Sequence, residues 1–190
     1  MKKNIGSVLA LYPTPTVVVG SVVNGKTNWV LVGHVGIIGH DRILISLHKS
    51  HHSNAGIKET GKLSVNIVVE DLLQKADYIG CVSGARTDKS DVFDYIMTPE
   101  GNVPVINDSP VSMVCEVTDN YETETFDNFI CRITETLADE SVLDEKGKID
   151  YGVLKPVLFE MPGYSYLQTG AVIGKCTKLG REYKQKMEND

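Results

Sequence analysis

Ser46-Leu47-His48-Lys49-Ser50-His51-His52-Ser53-Asn54 is the stretch around which the fold is organised. It follows the apolar run Ile43-Leu44-Ile45 and leads, through a short helical segment, into Leu63-Ser64-Val65-Asn66. The first N–H groups of a helix lack partners within the helix, and the helix dipole favours negative charge at that end. Hydroxyls and a lysine at such a strand-to-helix junction therefore predict a cradle for an anion.

The residues before this stretch are predicted to form antiparallel strands. The prolines of Tyr12-Pro13-Thr14-Pro15 prevent a helix, and the β-branched run from Thr16 to Val23 predicts a strand. Asn24-Gly25-Lys26 predicts a hairpin, because Asn and Gly tolerate the positive φ angles of a tight turn. We expect the returning strand at Thr27 to Ile38 and a third strand at Ile43 to Leu47. The short links favour a meander over a βαβ unit.

A helix and a fourth strand are predicted to follow. Ser53 to Thr60 is expected to form the helix, with Ser50 or Ser53 as its N-terminal cap and Gly61 at its end. Leu63 to Val69 has the apolar, β-branched pattern of a strand.

A long irregular segment is expected in the middle of the chain. Asp71 to Ile79 has the apolar spacing of a second helix, which Gly80 would end. From Cys81 to Asn107, glycine, proline and polar residues dominate, and a helical turn could form near Asp91 to Tyr95. Irregular chain of this length in a compact domain usually carries function.

The last third of the chain returns to strands. Val111 to Tyr121 and Phe126 to Leu137 predict two long strands, and Ile149 to Val157 returns to the core. Residues 178–190 are charged and predict a solvated helix or a frayed tail. The expected fold is mainly β with a few short helices. We expect a Greek-key-like, closed or nearly closed β-barrel that forms one domain over residues 1–177.

Composition excludes several classes of function. The formal net charge of −6 argues against nucleic acid or an anionic membrane as the main partner. No window approaches the roughly 20 apolar residues of a membrane span. The cysteines lie far apart, which favours reduced thiols in a cytoplasmic protein over a disulfide framework. They are Cys81, Cys115, Cys131 and Cys176.

No motif assigns a catalytic residue or a metal ligand. The chain lacks the G-x-S-x-G, Walker and H-E-x-x-H patterns. His48, His51 and His52 resemble a metal cluster, but consecutive histidines on regular structure do not face one ion, and no acidic ligand stands close in sequence. We therefore expect no metal, and interpret these histidines as surface or phosphate-facing side chains.

A second polar segment, Ser83-Gly84-Ala85-Arg86-Thr87-Asp88-Lys89-Ser90, is another candidate for anion binding. Glycine allows a ligand to approach the backbone, and Arg86 and Lys89 supply positive charge. Taken alone, the segment could equally be a solvated surface loop. Together with the strand-to-helix junction, it would complete a phosphate site, and the strand from Trp29 to His34 could supply an apolar wall.

These segments resemble, in order, the flavin reductase-like family with an FMN-binding split barrel, and most closely its flavoredoxin branch. The resemblance rests on short motifs spread over most of the chain. They are Tyr12-Pro13-x-Pro15, Gly25-Lys26-x-Asn28, Ser46 to Asn54 with Gly56-Ile57, Leu63-Ser64-Val65-Asn66-Ile67, Asp77-Tyr78-x-Gly80-Cys81-x-Ser83-Gly84-x3-Asp88-Lys89, Pro104-Val105-Ile106, Val114-Cys115-Glu116-Val117 and Tyr166-Leu167-x2-Gly170. The motif that begins at Asp77 is the most specific of them.

The resemblance implies a homodimer of split barrels with FMN at or near the interface. It implies three groups of flavin-binding residues, to which Asn66 is added. Val30, Leu31, Val32, Gly33 and His34 would border the ring; Ser46, Leu47, His48, Lys49, Ser53 and Asn54 would hold the ribityl phosphate; Ser83, Gly84 and Lys89 would close over it.

The implied reaction is electron transfer through bound FMN, from NADH, NADPH or a redox protein. Family members often carry a histidine and a Gly-Glu pair on the strand that here reads Asp127-Asn128-Phe129-Ile130-Cys131-Arg132-Ile133, and both are absent. Direct reduction by a nicotinamide therefore stays open. The alternatives are an FMN-binding electron carrier or flavin sensor without turnover of its own, and a barrel that takes up no flavin.

Overall fold

The computed structural model of the chain describes residues 1–99 and 102–189. Its strands are β1 (Thr14–Pro15), β2 (Val17–Val23), β3 (Lys26–Val32), β4 (Val35–Ile37), β5 (Arg42–His48), β6 (Lys62–Ile67), β7 (Tyr95–Met97), β8 (Pro104–Ile106), β9 (Val111–Glu122), β10 (Phe126–Ala138), β11 (Val157–Glu160) and β12 (Ser165–Gln168). Its α-helices are α1 (Ser53–Thr60), α2 (Leu73–Cys81), α3 (Tyr151–Leu154) and α4 (Lys178–Asn189). Within the described ranges, no helix has both the length and the apolar character to cross a bilayer.

Seven strands form one antiparallel sheet in the order β3-β2-β6-β9-β10-β5-β4. This order puts β3 and β4 at opposite edges, although only Gly33 and His34 separate them in the chain. Three Cα–Cα steps span at most about 11 Å, so the sheet curls until its edges approach each other. The Ser46 amide donates to the His34 carbonyl at 3.0 Å beside this junction. The predicted mainly β, nearly closed barrel is confirmed.

Local turn signals place the first hairpin correctly. Asn24 and Gly25 have φ angles of 51° and 75°, as the Asn-Gly turn requires. The turn sets the β2–β3 register, in which Gly20 lies opposite Trp29. The two long strands predicted after residue 110 are also confirmed as β9 and β10.

The curled sheet encloses one apolar core. A second apolar core lies between the outer face of the sheet and α2. Ile45, Leu47 and Phe129 lie in the barrel interior and are almost completely buried. Trp29 points to the opposite face, where it packs edge-on against Phe93 and Tyr95 at centroid distances of 5.5 and 5.6 Å. All four cysteines are free thiols, and Cys115 and Cys131 are buried in the barrel core.

The single strand predicted from Thr27 to Ile38 is wrong, because the chain breaks at Gly33 and His34 into β3 and β4. The break brings Gly33 against Phe159, where an added Cβ would lie 2.9 Å from Phe159 Cδ1. Contacts with a strand more than a hundred residues away thus end β3, and local propensity does not show them.

Two predictions in the middle segment also fail. No helical turn forms near residues 91–95; Tyr95 begins β7, which pairs with β8. Burial of Phe93 against Trp29 favours the irregular and extended path. Gly80 does not end α2 but lies inside it, where a Cβ would come within 3.0 Å of Leu31 Cδ2. Close helix–strand packing explains this glycine.

The start of α1 differs from the prediction, whereas its end agrees. His52 occupies the N-cap position without a side-chain capping bond, so neither Ser50 nor Ser53 is the cap. Their hydroxyls contact His48 and Asn28 instead. Gly61 ends α1 at a φ of 67°, as predicted. The described side chains of α4 are exposed, and residue 190 of the predicted tail lies outside the described residues.

Candidate functional site

The end of β3 and the facing part of β5 line a pocket of about 400 Å³, here called the apolar pocket. Both strands flank the place where the edges of the sheet approach each other, so the pocket opens at that junction. Seven of the predicted flavin-site residues line it: Leu31, Val32, Gly33, His34, Ser46, Leu47 and His48.

Distant parts of the chain complete the walls of the apolar pocket. Except for His51, which was interpreted as surface or phosphate-facing, these residues were not assigned to the site from sequence. They are Thr16, His51, Asp77, Gly80, Phe126, Phe159, Met161, Tyr164 and Tyr166. Four of them are aromatic, which suits a planar ring.

Side chains at the junction fix the geometry of the apolar pocket. Tyr12 Oη and His34 Nε2 lie 2.9 Å apart, and Tyr12 packs edge-on against Phe159 at 6.4 Å. Thr14 Oγ1 donates to the Gly33 carbonyl at 2.6 Å. The Oγ1 of Thr16 is buried, and no described residue provides it with a hydrogen-bond partner. This hydroxyl in the pocket wall is thus available to a ligand.

Ser46 is held by the neighbouring strand. Its hydroxyl donates to Asn128 Oδ1 at 2.7 Å, and Asn128 Nδ2 donates to the Tyr121 carbonyl at 2.8 Å. Ser46 and Asn128 are register partners of β5 and β10. The hydroxyl oxygen keeps its acceptor capacity for a ligand, while its proton is committed to Asn128.

A second pocket of about 250 Å³, here called the polar pocket, adjoins the first. Leu31, His51 and Gly80 line both pockets. The predicted residues Val30, Ser53, Ser83, Gly84 and Lys89 line the polar pocket. Arg86, which the sequence indicated as a source of positive charge, and His52, interpreted as surface or phosphate-facing, line it as well, together with Asn28 and Ser50. No described aspartate or glutamate lines it, so the polar pocket favours an anion.

Asn28 organises one wall of the polar pocket. Its Nδ2 donates to Ser53 Oγ at 2.7 Å, so the Ser53 hydroxyl can direct its own hydrogen toward a ligand. On the other side, an added Cβ on Gly84 would collide with Asn28 Oδ1 and lie 3.1 Å from His52 Cδ2. Glycine at position 84 therefore lets the loop backbone close against β3.

Lys89 is buried at the C-terminal end of α2. Its ammonium donates to the carbonyls of Ile79 and Val82 at 3.2 and 3.3 Å. An ammonium has three donors, and no described residue is bonded to the third. Burial lowers the pKa of Lys89, because the protein interior disfavours its charge. An anion in the polar pocket would compensate this cost.

Three predicted site residues lie outside both pockets. Lys49 Nζ pairs with Glu122 at 3.3 Å on the exterior. Asn54 Nδ2 donates to the buried Asp127 at 2.8 Å and ties α1 to β10. Asn66 Nδ2 donates to the Val18 carbonyl at 3.0 Å and Asn66 Oδ1 accepts from Ser112, which ties together neighbouring strands. Each of the three side chains is bonded to another residue of the fold and lines neither pocket, so its assignment to the flavin site stays a prediction.

Several pocket-lining residues that were missing from the predicted site lie in segments that the sequence analysis had singled out. His51 lies within the polar stretch at residues 46–54, and Asp77, Gly80 and Tyr166 belong to the quoted motifs. Phe126, Phe159 and Met161 carried no such signal. Within the described part of the chain, no cluster of three or more His, Cys, Asp or Glu side chains is arranged to hold a metal ion.

Comparison with protein families matches residues 9–167 to the family described as flavin reductase like domain. The matched range includes every residue that lines either pocket. A comparison with curated proteins found no match.

Solved structures agree with the family match. Flavoredoxin from Methanosarcina acetivorans is 30% identical with a TM-score of 0.92, over 96% of this chain and 99% of that chain. Flavoredoxin of Desulfovibrio vulgaris (Miyazaki F) is 26% identical with a TM-score of 0.88, over 95% and 100%. The FMN-binding protein from Thermus thermophilus is 17% identical with a TM-score of 0.78, over 92% and 97%, and shows likeness of fold alone.

Proposed function

This chain belongs to the flavin reductase-like family, as its motifs predicted, and on that basis we propose that it is an FMN-dependent oxidoreductase. The proposed reaction passes electrons from a reduced nicotinamide or a redox protein, through bound FMN, to an acceptor. The high similarity to two flavoredoxins supports a role in electron transfer.

The observation that carries the proposal is that the two pockets adjoin each other. An apolar cavity rimmed by aromatic side chains shares Leu31, His51 and Gly80 with a cavity that has cations and no described carboxylate. FMN has the same division, with a planar ring at one end and a phosphate dianion at the other. The unpartnered Thr16 hydroxyl and the close fit at Gly84 are features that a bound ligand would use.

The residues present fit this cofactor. Leu31, Val32 and Leu47 would pack on the ring, with Phe126, Phe159 and Tyr166 around it. Ser53 and Ser83 would donate to the phosphate, and Arg86 and Lys89 would balance its charge. Bound FMN would supply the redox chemistry, while the protein binds it, orients it and limits its contact with water.

The side chains of β10 favour the alternative of an electron carrier that is not reduced directly by a nicotinamide. On β10, only Phe126 contributes a side chain to the apolar pocket. The buried Asp127 is bonded to Asn54 and to the exposed Lys58, and the amide oxygen of Asn128 is bonded to Ser46. No polar side chain of that segment is therefore free to receive a nicotinamide, which favours a redox protein as the electron donor.

Two measurements test the function. The purified protein should be yellow, with a flavin absorbance spectrum, and should release FMN on denaturation. Anaerobic stopped flow with NADH and NADPH then separates the alternatives. Rapid bleaching supports the reductase, whereas no bleaching by either nicotinamide supports the carrier. A colourless protein that fails to take up FMN would refute both.

We also propose that the protein is a homodimer. Large apolar side chains are exposed at both ends of the chain and at the edge strand β4. They include Val8, Leu9, Ile37, Val172, Ile173 and Tyr183. Exposed apolar area of this kind is typical of a protein interface, and a second copy of the chain would cover it.

A further inference from the structure

His51 lies where the two pockets meet. It is one of three residues that line both, and the others, Leu31 and Gly80, have no polar side chain. Its backbone is held at both ends, since its amide donates to the His48 carbonyl at 2.9 Å and its carbonyl accepts from the Asn54 amide at 3.2 Å. The backbone of His51 is thus held by the turn between β5 and α1, from which the imidazole extends to both pockets.

The ring of His51 has hydrogen-bonding capacity that the fold does not use. Its Nδ1 is buried, and no described residue is bonded to it. The other two histidines of the apolar pocket differ, because His34 is paired with Tyr12 and His48 with Ser50. A buried polar atom without a partner is uncommon in a folded protein and indicates a place for a ligand or water.

The surroundings of His51 favour its neutral form while the polar pocket holds no anion. Burial, and then the neighbouring His48 and Lys89, lower the pKa of His51. His52, Cys81 and Arg86 line the polar pocket beside it, and none supplies a carboxylate. On the apolar side, His34, Tyr164, Tyr166 and Asp77 line the wall, and Asp77 already accepts a hydrogen bond from Tyr166.

We propose that His51 is a further ligand-binding residue, whose imidazole takes up a proton when a phosphate monoester enters the polar pocket. The proposal rests on the proposed FMN function, which places a phosphate there. A dianion next to the imidazole reverses the local electrostatics, because an opposite charge within a few ångströms favours the charged form. Protonation turns both ring nitrogens into donors and strengthens the contact to the phosphate. Riboflavin has no phosphate and would not produce this change.

Isothermal calorimetry in two buffers of different ionisation enthalpy measures the protons taken up when FMN binds to flavin-free protein. At about pH 7, we expect uptake of roughly half a proton per FMN more in the unmodified protein than in His51→Gln. Subtracting the variant removes the contribution of the phosphate itself, whose second pKa lies near 6. Riboflavin should give no such difference between the two proteins.

His40→Gln is the matched control, because His40 is exposed and lines neither pocket. It should take up as many protons as the unmodified protein. His51→Asn serves as a second variant should His51→Gln fail to fold, since it too replaces the imidazole by an amide that does not titrate.

The outcomes separate this inference from the proposed function. If the protein binds neither FMN nor riboflavin, both fail. If FMN binds with equal proton uptake in the unmodified protein and the His51 variants, the role of His51 is refuted while the flavin function stands. A difference seen equally with riboflavin would also refute it, because the phosphate would then not be the cause.

Discussion

Tyr166 Oη donates a hydrogen bond of 2.7 Å to Asp77 Oδ1, and both side chains line the apolar pocket. The bond joins β12 to α2 across 89 positions of sequence. The Tyr166 ring also packs against Phe159 at a centroid distance of 5.7 Å. The contact therefore holds the β11–β12 hairpin in place as a wall of the site.

Tyr166→Phe should weaken binding of FMN and riboflavin by similar factors. The variant keeps the aromatic ring but removes one hydrogen bond to a carboxylate, worth about 1–2 kcal/mol, and the loosened hairpin should lower affinity by at most roughly five- to thirtyfold. Titration of each flavin by fluorescence quenching measures the effect. Tyr151→Phe is the control, because Tyr151 is largely exposed and lines neither pocket. Unchanged affinity in Tyr166→Phe would show that the hairpin does not need this bond.

Ser53→Ala should reduce the preference for FMN over riboflavin. Loss of one charge-assisted hydrogen bond to the phosphate, at about 1.5–3 kcal/mol, would lower FMN affinity at least tenfold and leave riboflavin affinity nearly unchanged. Asn54→Ala gives the contrasting case, since Asn54 supports α1 from outside the pockets. It should lower the melting temperature and preserve the ratio. Equal affinity for the two flavins in the unmodified protein would refute the phosphate site altogether.

Lys89→Gln should weaken FMN binding more at low salt than at high salt, because screening reduces the contribution of a charge. The matched variant is Lys49→Gln, which removes a lysine paired with Glu122 outside both pockets. Affinity should fall several-fold in the first variant and stay constant in the second. Lys89→Gln should also destabilise the end of α2, so affinity is measured well below the melting temperature. Similar effects of the two substitutions would contradict the assignment of Lys89.

The stability of the fold should decrease in acid through Asp127. Burial alone would raise the pKa of this carboxyl, but hydrogen bonds from Lys58, Asn120 and Asn54 hold it below its usual value. A lowered pKa adds stability that is complete above the unfolded value of about 3.9 and is lost as pH falls through the folded value. Urea unfolding from pH 6 down to pH 3 should show this loss.

Asp127→Asn should flatten that acid dependence and lower stability at neutral pH, by about 1–3 kcal/mol, because Lys58, Asn120 and Asn54 lose a carboxylate acceptor. Glu122→Gln is a useful comparison, since Glu122 shares Lys58 but is exposed. It should leave the unfolding free energy at neutral pH nearly constant. If Asp127→Asn and the unmodified protein lose stability in parallel below pH 4, another carboxyl is responsible.

The dimer should exist without FMN and should depend on the end of the chain. A variant that stops at residue 169 lacks the exposed Val172, Ile173 and Tyr183, and should dimerise less tightly. Light scattering at micromolar concentration measures the mass of both proteins. A monomeric unmodified protein would refute the proposed dimer, and equal dimerisation of the two would place the interface elsewhere.

Sequence reasoning succeeded where the signals were local. The Asn24-Gly25 turn, the αL position of Gly61 and the two long strands β9 and β10 follow from short-range backbone preferences. It failed at Gly33, where β3 ends because Phe159 packs against it from a distant strand. No local pattern contains that contact.

The same distinction applies to the site. Ser53 and Asn54 were both expected to hold the phosphate, but Ser53 lines the polar pocket while the adjacent Asn54 bonds Asp127. The direction of each side chain depends on where α1 sits against β10, which the sequence does not specify. The aromatic wall at Phe126, Phe159 and Tyr166 depends likewise on tertiary packing.

The two-residue link between β3 and β4 has a mechanical consequence. The barrel has its seam at Gly33 and His34, where the sheet edges come together without pairing along their length, and the apolar pocket opens at the same place. Separation of the sheet edges at this seam would therefore also widen the pocket. A ligand that contacts both sides of the pocket would hold the two sheet edges together. Bound flavin should therefore slow amide hydrogen exchange along β3 and β5 more than along β9, although β9 belongs to the same sheet.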